Sequence, residues 1–289
     1  MQSVSIKPTF LVIGAGKAGT TSLCAMLKAH PQVYMCKPKE PMFFSSDENY
    51  YSKGWEWYSS LFRESAHCQA RGEGSVHYTT RDAFPMAATR IAKDLPEAKL
   101  IYIVRDPLER CRSQWQMEAR RHPSTPPFAK MIRDGLKDQF MVLRSKYWWQ
   151  LSAYRDHFPD EQILVLFLED FACDPQVQLK HCFEFLGVDQ DFRSKQANLH
   201  LHRSRDFVEP TTLLKIVKRV PLIPDLVCRF APNPVVRRVT KSSMLKRPMV
   251  KKPKWDADLR KILIDRLYDD SMTFLQYCGK PRDFWDFSL

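Results

Sequence analysis

No stretch of the 289 residues approaches the length of an apolar membrane span, and no CxxC pair occurs among the eight cysteines. The first absence argues against a chain threaded through a bilayer, and the second against a zinc ribbon or a dithiol redox motif. Cys24, Cys36, Cys68, Cys111, Cys173, Cys182, Cys228 and Cys278 sit mostly in apolar stretches. That setting points to buried thiols in a reducing, cytoplasmic compartment rather than to a disulfide framework. There is no internal repeat and no linker of distinct composition, and the 20 prolines are scattered instead of forming one low-complexity tract. The opening MQSVSIKPTFLVIGAG has only a short apolar run that leads straight into a glycine loop, so it reads as a first strand and not as a secretory signal. With 44% hydrophobic and 27% charged residues, the chain is expected to bury a full core as one domain spanning 1–289.

What is present in excess is positive charge: 45 Lys and Arg against 33 acidic residues, a formal net charge of +12. Such a surplus suits an anionic ligand, although nucleic acid, a sulfated polymer or a membrane surface could also exploit it. Arg237, Arg238, Lys241, Lys246, Arg247, Lys251, Lys252 and Lys254 form a cluster around 240–255 that is either a solvated loop or a flap that closes on an anion.

Residues Phe10 to Ile13 favour a buried strand, and Gly14, Gly16 and Gly19 then precede an amphipathic run from Thr20 to Ala29. A short strand over Gln32–Cys36 follows, and the loop after it carries KPKEPMFF. Lys99 to Val104 is another strand; Pro107 suits a first helical turn, and Leu108–Arg120 continues as a helix. Helical Ser145–His157, strand Gln162–Leu168 and a helix from Pro175 to about Leu186 come next. Pro210–Val239 reads as proline-broken short helices, and Asp256 caps a last helix to about Tyr277. Strands alternating with helices predict an α/β fold with a central, mainly parallel sheet flanked by helices and ligands at the carboxyl ends of the strands.

The segment GAGKAGTTSL, Gly14 to Leu23, admits three readings. As GxGxxG between strand and helix it suggests a dinucleotide site, but Cys36, Lys37, Pro38 and Lys39 stand where an acid should hold a ribose, which leaves NADP as the cofactor of that reading. As a triphosphate loop it has its lysine in the wrong place, since Lys17 precedes Gly19 instead of following it. In the third reading, GxxKxGTTSL closely resembles the 5′-phosphosulfate loop of sulfotransferases that use 3′-phosphoadenosine 5′-phosphosulfate (PAPS). There the backbone of Ala18, Gly19, Thr20, Thr21 and Ser22 would cradle the 5′-phosphate at a helix start, and Lys17 would meet the negative charge growing on the oxygen that bridges phosphorus and sulfur.

The resemblance extends along the chain. YIVRDPLERCRSQW, Tyr102 to Trp115, is similar to the family's 3′-phosphate motif, which implies that Arg105 and Ser113 bind that phosphate. KEPMFF, Lys39 to Phe44, resembles the segment of heparan sulfate sulfotransferases and bacterial relatives whose glutamate is the general base, which implies that role for Glu40. A salt bridge from Glu40 to Lys37 or Lys39 is the plainer alternative. GEGSVHY, Gly72 to Tyr78, resembles a stretch that carries a lysine after the glutamate in the heparan sulfate enzymes; here Gly74 stands there, and His77 becomes a second candidate base or acceptor contact. TKSSMLKRP resembles the basic loop over the donor's 3′-phosphate and adenine, which implicates Lys246 and Arg247. The expectation is sulfuryl transfer from PAPS, with no metal, to a hydroxyl or amine of a small metabolite, in keeping with secondary metabolism, with carbohydrate as the second acceptor class. No nucleic-acid or membrane partner is expected. An NADP-dependent oxidoreductase and a non-enzymatic basic polyanion-binding protein stand as rivals.

Overall fold

Buried apolar runs lay down a parallel sheet in a computed structural model that describes residues 6–134, 139–193 and 250–288. Strand β1 is Phe10–Gly14, β2 Val33–Met35, β3 Ala70–Gly74, β4 Lys99–Val104 and β5 Ile163–Phe167. They lie in the order β2-β3-β1-β4-β5, every adjacent pair parallel. All five residues of β1 are buried, as a central strand covered on both faces requires. The α/β class and the parallel sheet expected from the sequence are thus present.

The helices among the described residues are α1 Thr20–Lys28, α2 Gly54–Ser60, α3 Ala87–Asp94, α4 Pro107–Arg121, α5 Phe128–Asp134, α6 Gln139–Leu143, α7 Tyr147–Arg155, α8 Leu168–Cys173, α9 Pro175–Leu186 and α10 Ala257–Tyr277. Helix α1 buries Thr20, Leu23, Cys24 and Leu27, the spacing of one helical face. Helix α9 shows how local chemistry sets limits. Asp174 accepts hydrogen bonds from the Gln176 and Val177 N–H groups, Pro175 takes the first turn, and Gly187 closes the helix in the left-handed region at φ 74°. Asp256 caps α10 in the same way, accepting from the Asp258 N–H.

Backbone packing divides the chain into two compact units. Met1–Trp115, Pro127–Leu199 and Lys254–Leu289 form the first, which holds the sheet and its aromatic core; Gln116–Pro126 and His200–Pro253 form the second. Within the second unit, Gln116 Nε2 donates to the Val250 carbonyl at 2.7 Å. Pro210–Val239 and the two basic candidates Lys246 and Arg247 lie outside the described residues.

The strand order decides one of the readings left open by the sequence. A dinucleotide fold of the ribose-binding kind places β2 beside β1, so that an acid at the end of β2 meets the sugar. Here β3 occupies that place and β2 is displaced to the sheet edge. The crevice between β1 and β4 is the point where the winding reverses, and the loops leaving those two strands meet there.

Candidate active site

Gly14, at the end of β1, has no room for a side chain: a Cβ there would lie 1.8 Å from Thr79 Oγ1, which donates to the Ile13 carbonyl at 2.9 Å. The turn after β3 therefore packs directly beneath the loop. The loop then climbs through Lys17, at φ 72°, and Gly19, at φ 94°, before α1 begins. No side chain caps α1, and its first intrahelical bond is from the Leu23 N–H to the Gly19 carbonyl. The positive end of the α1 dipole therefore lies at the end of this loop, where negative charge is favoured.

Arg105 leaves β4 beside this loop. Its Nη1 donates to the Lys17 carbonyl at 3.4 Å, and its Nη2 stands 3.9 Å from Glu109 Oε2. The Tyr147 hydroxyl fixes its backbone by donating to the Arg105 carbonyl at 2.8 Å. The neighbouring Asp106 has hydrogen-bond partners of its own. Asp106 accepts from the Glu109 N–H at 2.8 Å as the cap of α4, and its own N–H donates to Glu169 Oε1 at 2.7 Å. Burial pushes the Asp106 carboxyl up to about 6, against the pull of that N–H. Ser113 lies about two turns further along α4 and is buried.

The KEPMFF loop is pinned at its far end. Phe43 stacks on Tyr58 at 4.3 Å between ring centroids, and Phe44 stands edge-on to Tyr58 and Tyr78. The Met42 N–H donates to Ser75 Oγ at 3.1 Å, and Asn49 Nδ2 donates to the Pro41 carbonyl at 2.9 Å. Held this way, Glu40 and Met42 adopt φ values of 58° and 55°, a region that ordinary side chains avoid and that concentrates at functional sites. Lys39 ties the loop to α1: its Nζ donates to Thr21 Oγ1 at 2.6 Å and lies 3.1 Å from Glu40 Oε1. The Glu40–Lys39 salt bridge weighed as the plainer alternative therefore exists, and it also brings Glu40 to the start of α1.

Beneath this loop lies a carboxylate that sequence reasoning did not single out. Glu73, on β3, is buried and accepts hydrogen bonds from Ser75 Oγ at 2.9 Å and from the hydroxyls of Tyr58 and Tyr78. Burial raises its carboxyl to about 7, and the three hydroxyl donors oppose that shift. Since Ser75 Oγ both donates to Glu73 and accepts from the Met42 N–H, the buried carboxylate and the Glu40 loop form one hydrogen-bonded chain. GEGSVHY displays Glu73, Ser75 and Tyr78 together, but Tyr58 is brought to Glu73 only by tertiary folding.

Gly74 is closed to any side chain, because a Cβ there would lie 2.6 Å from Cys24 Sγ. His77 sits in the short turn Val76–Thr79, its ring edge-on to Phe84 at 5.6 Å. Most of the thiols are buried as expected, with Cys173 exposed and Cys278 intermediate among the described ones.

A glycine loop leading into a helix start, an arginine from the neighbouring strand end and a carboxylate on an adjoining strained loop are thus gathered at the carboxyl ends of the strands of an α/β sheet. The chain belongs to the family described as Sulfotransferase domain, which matches residues 7–215. Heparan sulfate glucosamine 3-O-sulfotransferase 3A1 of Mus musculus is 31% identical over 195 residues, covering 65% of this chain and 48% of the relative. Membrane-associated sulfotransferase kil1 of Dictyostelium discoideum is 36% identical over 143 residues, covering 48% of this chain and 29% of that protein. The chain thus spans about half the length, or less, of these curated relatives. In fold, a sulfotransferase from Alicyclobacillus acidocaldarius superposes with a TM-score of 0.67 at 22% identity, covering 96% of this chain and 97% of that one. Mouse sulfotransferase SULT7A1, complexed with PAP, gives a TM-score of 0.50 at 17% identity, covering 92% of this chain and 84% of its own.

Proposed function

We propose that the chain transfers a sulfuryl group from PAPS to a hydroxyl or amine of an acceptor by in-line displacement. The observation that carries this reading is the approach of Arg105 to the Lys17 carbonyl, which sets a strand-end cation against the phosphate loop across the β1–β4 crevice. The first turn of α1, from Gly19 through Thr20, Thr21 and Ser22, and the adjoining Ala18 would hold the 5′-phosphate, and Arg105 with Ser113 the 3′-phosphate.

In the reaction, the acceptor oxygen or nitrogen forms a bond to sulfur while the bond from sulfur to the bridging oxygen breaks. The electron pair remains on the 5′-phosphate oxygen, where Lys17 and the helix start offset the growing charge. Glu40 takes the acceptor's proton. His77, in the turn under the loop, is the second candidate for that proton. Its ring faces Phe84, whereas Glu40 is joined to the α1 start through Lys39, which favours Glu40.

A small metabolite is the first acceptor class. The relatives named for heparan sulfate glucosamine 3-O-sulfotransfer make a carbohydrate hydroxyl the second. The test is incubation with PAPS labelled in its sulfuryl group and a panel of small hydroxylated or aminated metabolites and glucosamine-containing oligosaccharides, with products identified by mass. A product heavier by one sulfuryl group is expected. Reduction of NADP, or binding to polyanions without turnover, would return one of the rival readings.

A further inference from the structure

Lys39 has no part in the reaction as written above, yet it occupies the middle of the site. Its ammonium donates to Thr21 Oγ1 at 2.6 Å and stands 3.1 Å from Glu40 Oε1. One cation thereby joins the helix start that would receive the donor to the carboxylate that would receive the acceptor's proton. The two side chains are 40% and 30% exposed, a setting in which an isolated ion pair is weak and readily exchanged.

What places this cation beside the donor site is its direct hydrogen bond to Thr21 in the first turn of α1. The charges of Lys39, Glu40 and Glu73 all act on the buried Cys24 thiol, whose ionisation is pushed up to about 12 by burial, with Lys39 opposing. Strand β3, which ends beside the same thiol, offers no side chain there, because Cys24 Sγ fills the space that a Cβ at Gly74 would need.

We infer that Lys39 is a catalytic residue shared between Glu40 and the donor: it holds Glu40 while the donor site is empty and turns to the phosphosulfate when PAPS binds. This rests on the PAPS reading above. A phosphosulfate carries more than one negative charge and sits at the positive end of α1, so it competes effectively with a single, partly exposed carboxylate for the ammonium. Released from its ion pair, the Glu40 carboxylate is free to turn to the acceptor's proton. Donor binding in this way arms the base, and proton abstraction follows donor binding. As the bond between sulfur and the bridging oxygen breaks, Lys39 remains near the oxygens that carry the developing charge, and the proton goes to Glu40.

The competition can be read from donor affinity alone, without a known acceptor. Calorimetric titration of the full chain with PAPS, and with adenosine 3′,5′-bisphosphate in parallel, is carried out on wild type, Lys39→Met, Lys39→Arg, Glu40→Gln and the Lys39→Met/Glu40→Gln double variant. Lys39→Met is expected to weaken PAPS binding about tenfold, as loss of one charge-assisted contact does, and Lys39→Arg to restore most of it. Glu40→Gln should tighten PAPS binding several-fold, because the ammonium loses its competing carboxylate. The double variant should bind like Lys39→Met, since the Glu40 effect acts through Lys39. Unchanged affinity in Lys39→Met, or a Glu40→Gln effect that persists without Lys39, overturns the inference while leaving the donor assignment intact. Failure of wild type to bind either nucleotide overturns both.

Discussion

Glu73 is the residue at which the chemistry of the site and the stability of the fold meet. Its carboxyl is raised from 4.5 to about 7 by burial. The folded chain therefore holds this proton more tightly than the unfolded chain does. Folding is unopposed by Glu73 below the unfolded value, and the cost of ionising it grows as pH rises through the interval from 4.5 to about 7, reaching a few kcal/mol. Thermal unfolding of Glu73→Gln should accordingly fall less steeply between pH 5 and 7.5 than that of wild type; parallel slopes would show that Glu73 does not titrate there. Ser75→Ala keeps the carboxylate but removes the acceptor of the Met42 N–H, and it should lower turnover more than donor affinity by loosening the Glu40 loop. At Glu40, replacement by Gln should reduce single-turnover transfer by about a hundredfold or more, and His77→Ala should leave most of it. The reverse pattern would transfer the base role to His77. Lys17, Arg105 and Glu40 were legible in the sequence because the segments that carry them resemble sulfotransferase motifs, and the fold brings Arg105 to the Lys17 carbonyl and ties Glu40 through Lys39 to Thr21 of α1. Glu73 was not legible, and of Lys39 only the pairing with Glu40 was, because their further partners, Tyr58 and Thr21, are supplied only by folding.

Helix α7 shows what elements contribute and why some of it escapes a reading of local pattern. Its own cap residue, Lys146, contributes no side-chain hydrogen bond; instead Asp270 of α10 accepts from the Trp148 and Trp149 N–H groups at 3.1 and 2.8 Å. The same helix carries Tyr147, which fixes Arg105. Asp270→Ala should lower stability by ~1–2 kcal/mol, the range for losing a helix cap, and a denaturant titration measures it. A change within a few tenths of a kcal/mol would mean that solvent replaces the carboxylate. Strands β1, β4 and β5 were evident from their apolar runs, and β4 has the limits Lys99–Val104 expected for it. The sequence ARGEG hid β3, because two glycines and two charged residues break the usual pattern. Its glycines answer to close approach, since a Cβ at Gly72 would lie 2.4 Å from the Phe10 ring, and its buried glutamate answers to the tyrosines above it.

At the scale of the whole molecule, the order β2-β3-β1-β4-β5 brings the loop after β1 and the end of β4 to one crevice, and the net charge of +12 biases the surface toward anions. Charge alone would favour any polyanion; the two phosphate sites proposed for one nucleotide, at the α1 start and at Arg105 with Ser113, are what would distinguish the proposed donor. The most direct test is calorimetric titration of the intact chain with adenosine 3′,5′-bisphosphate, adenosine 5′-monophosphate and NADPH at one salt concentration. The bisphosphate should bind about tenfold or more tighter than the monophosphate, and Arg105→Ala should erase most of that difference. Equal affinities for the two adenosine phosphates, or a preference for NADPH, would contradict the assignment of the β1–β4 crevice to PAPS.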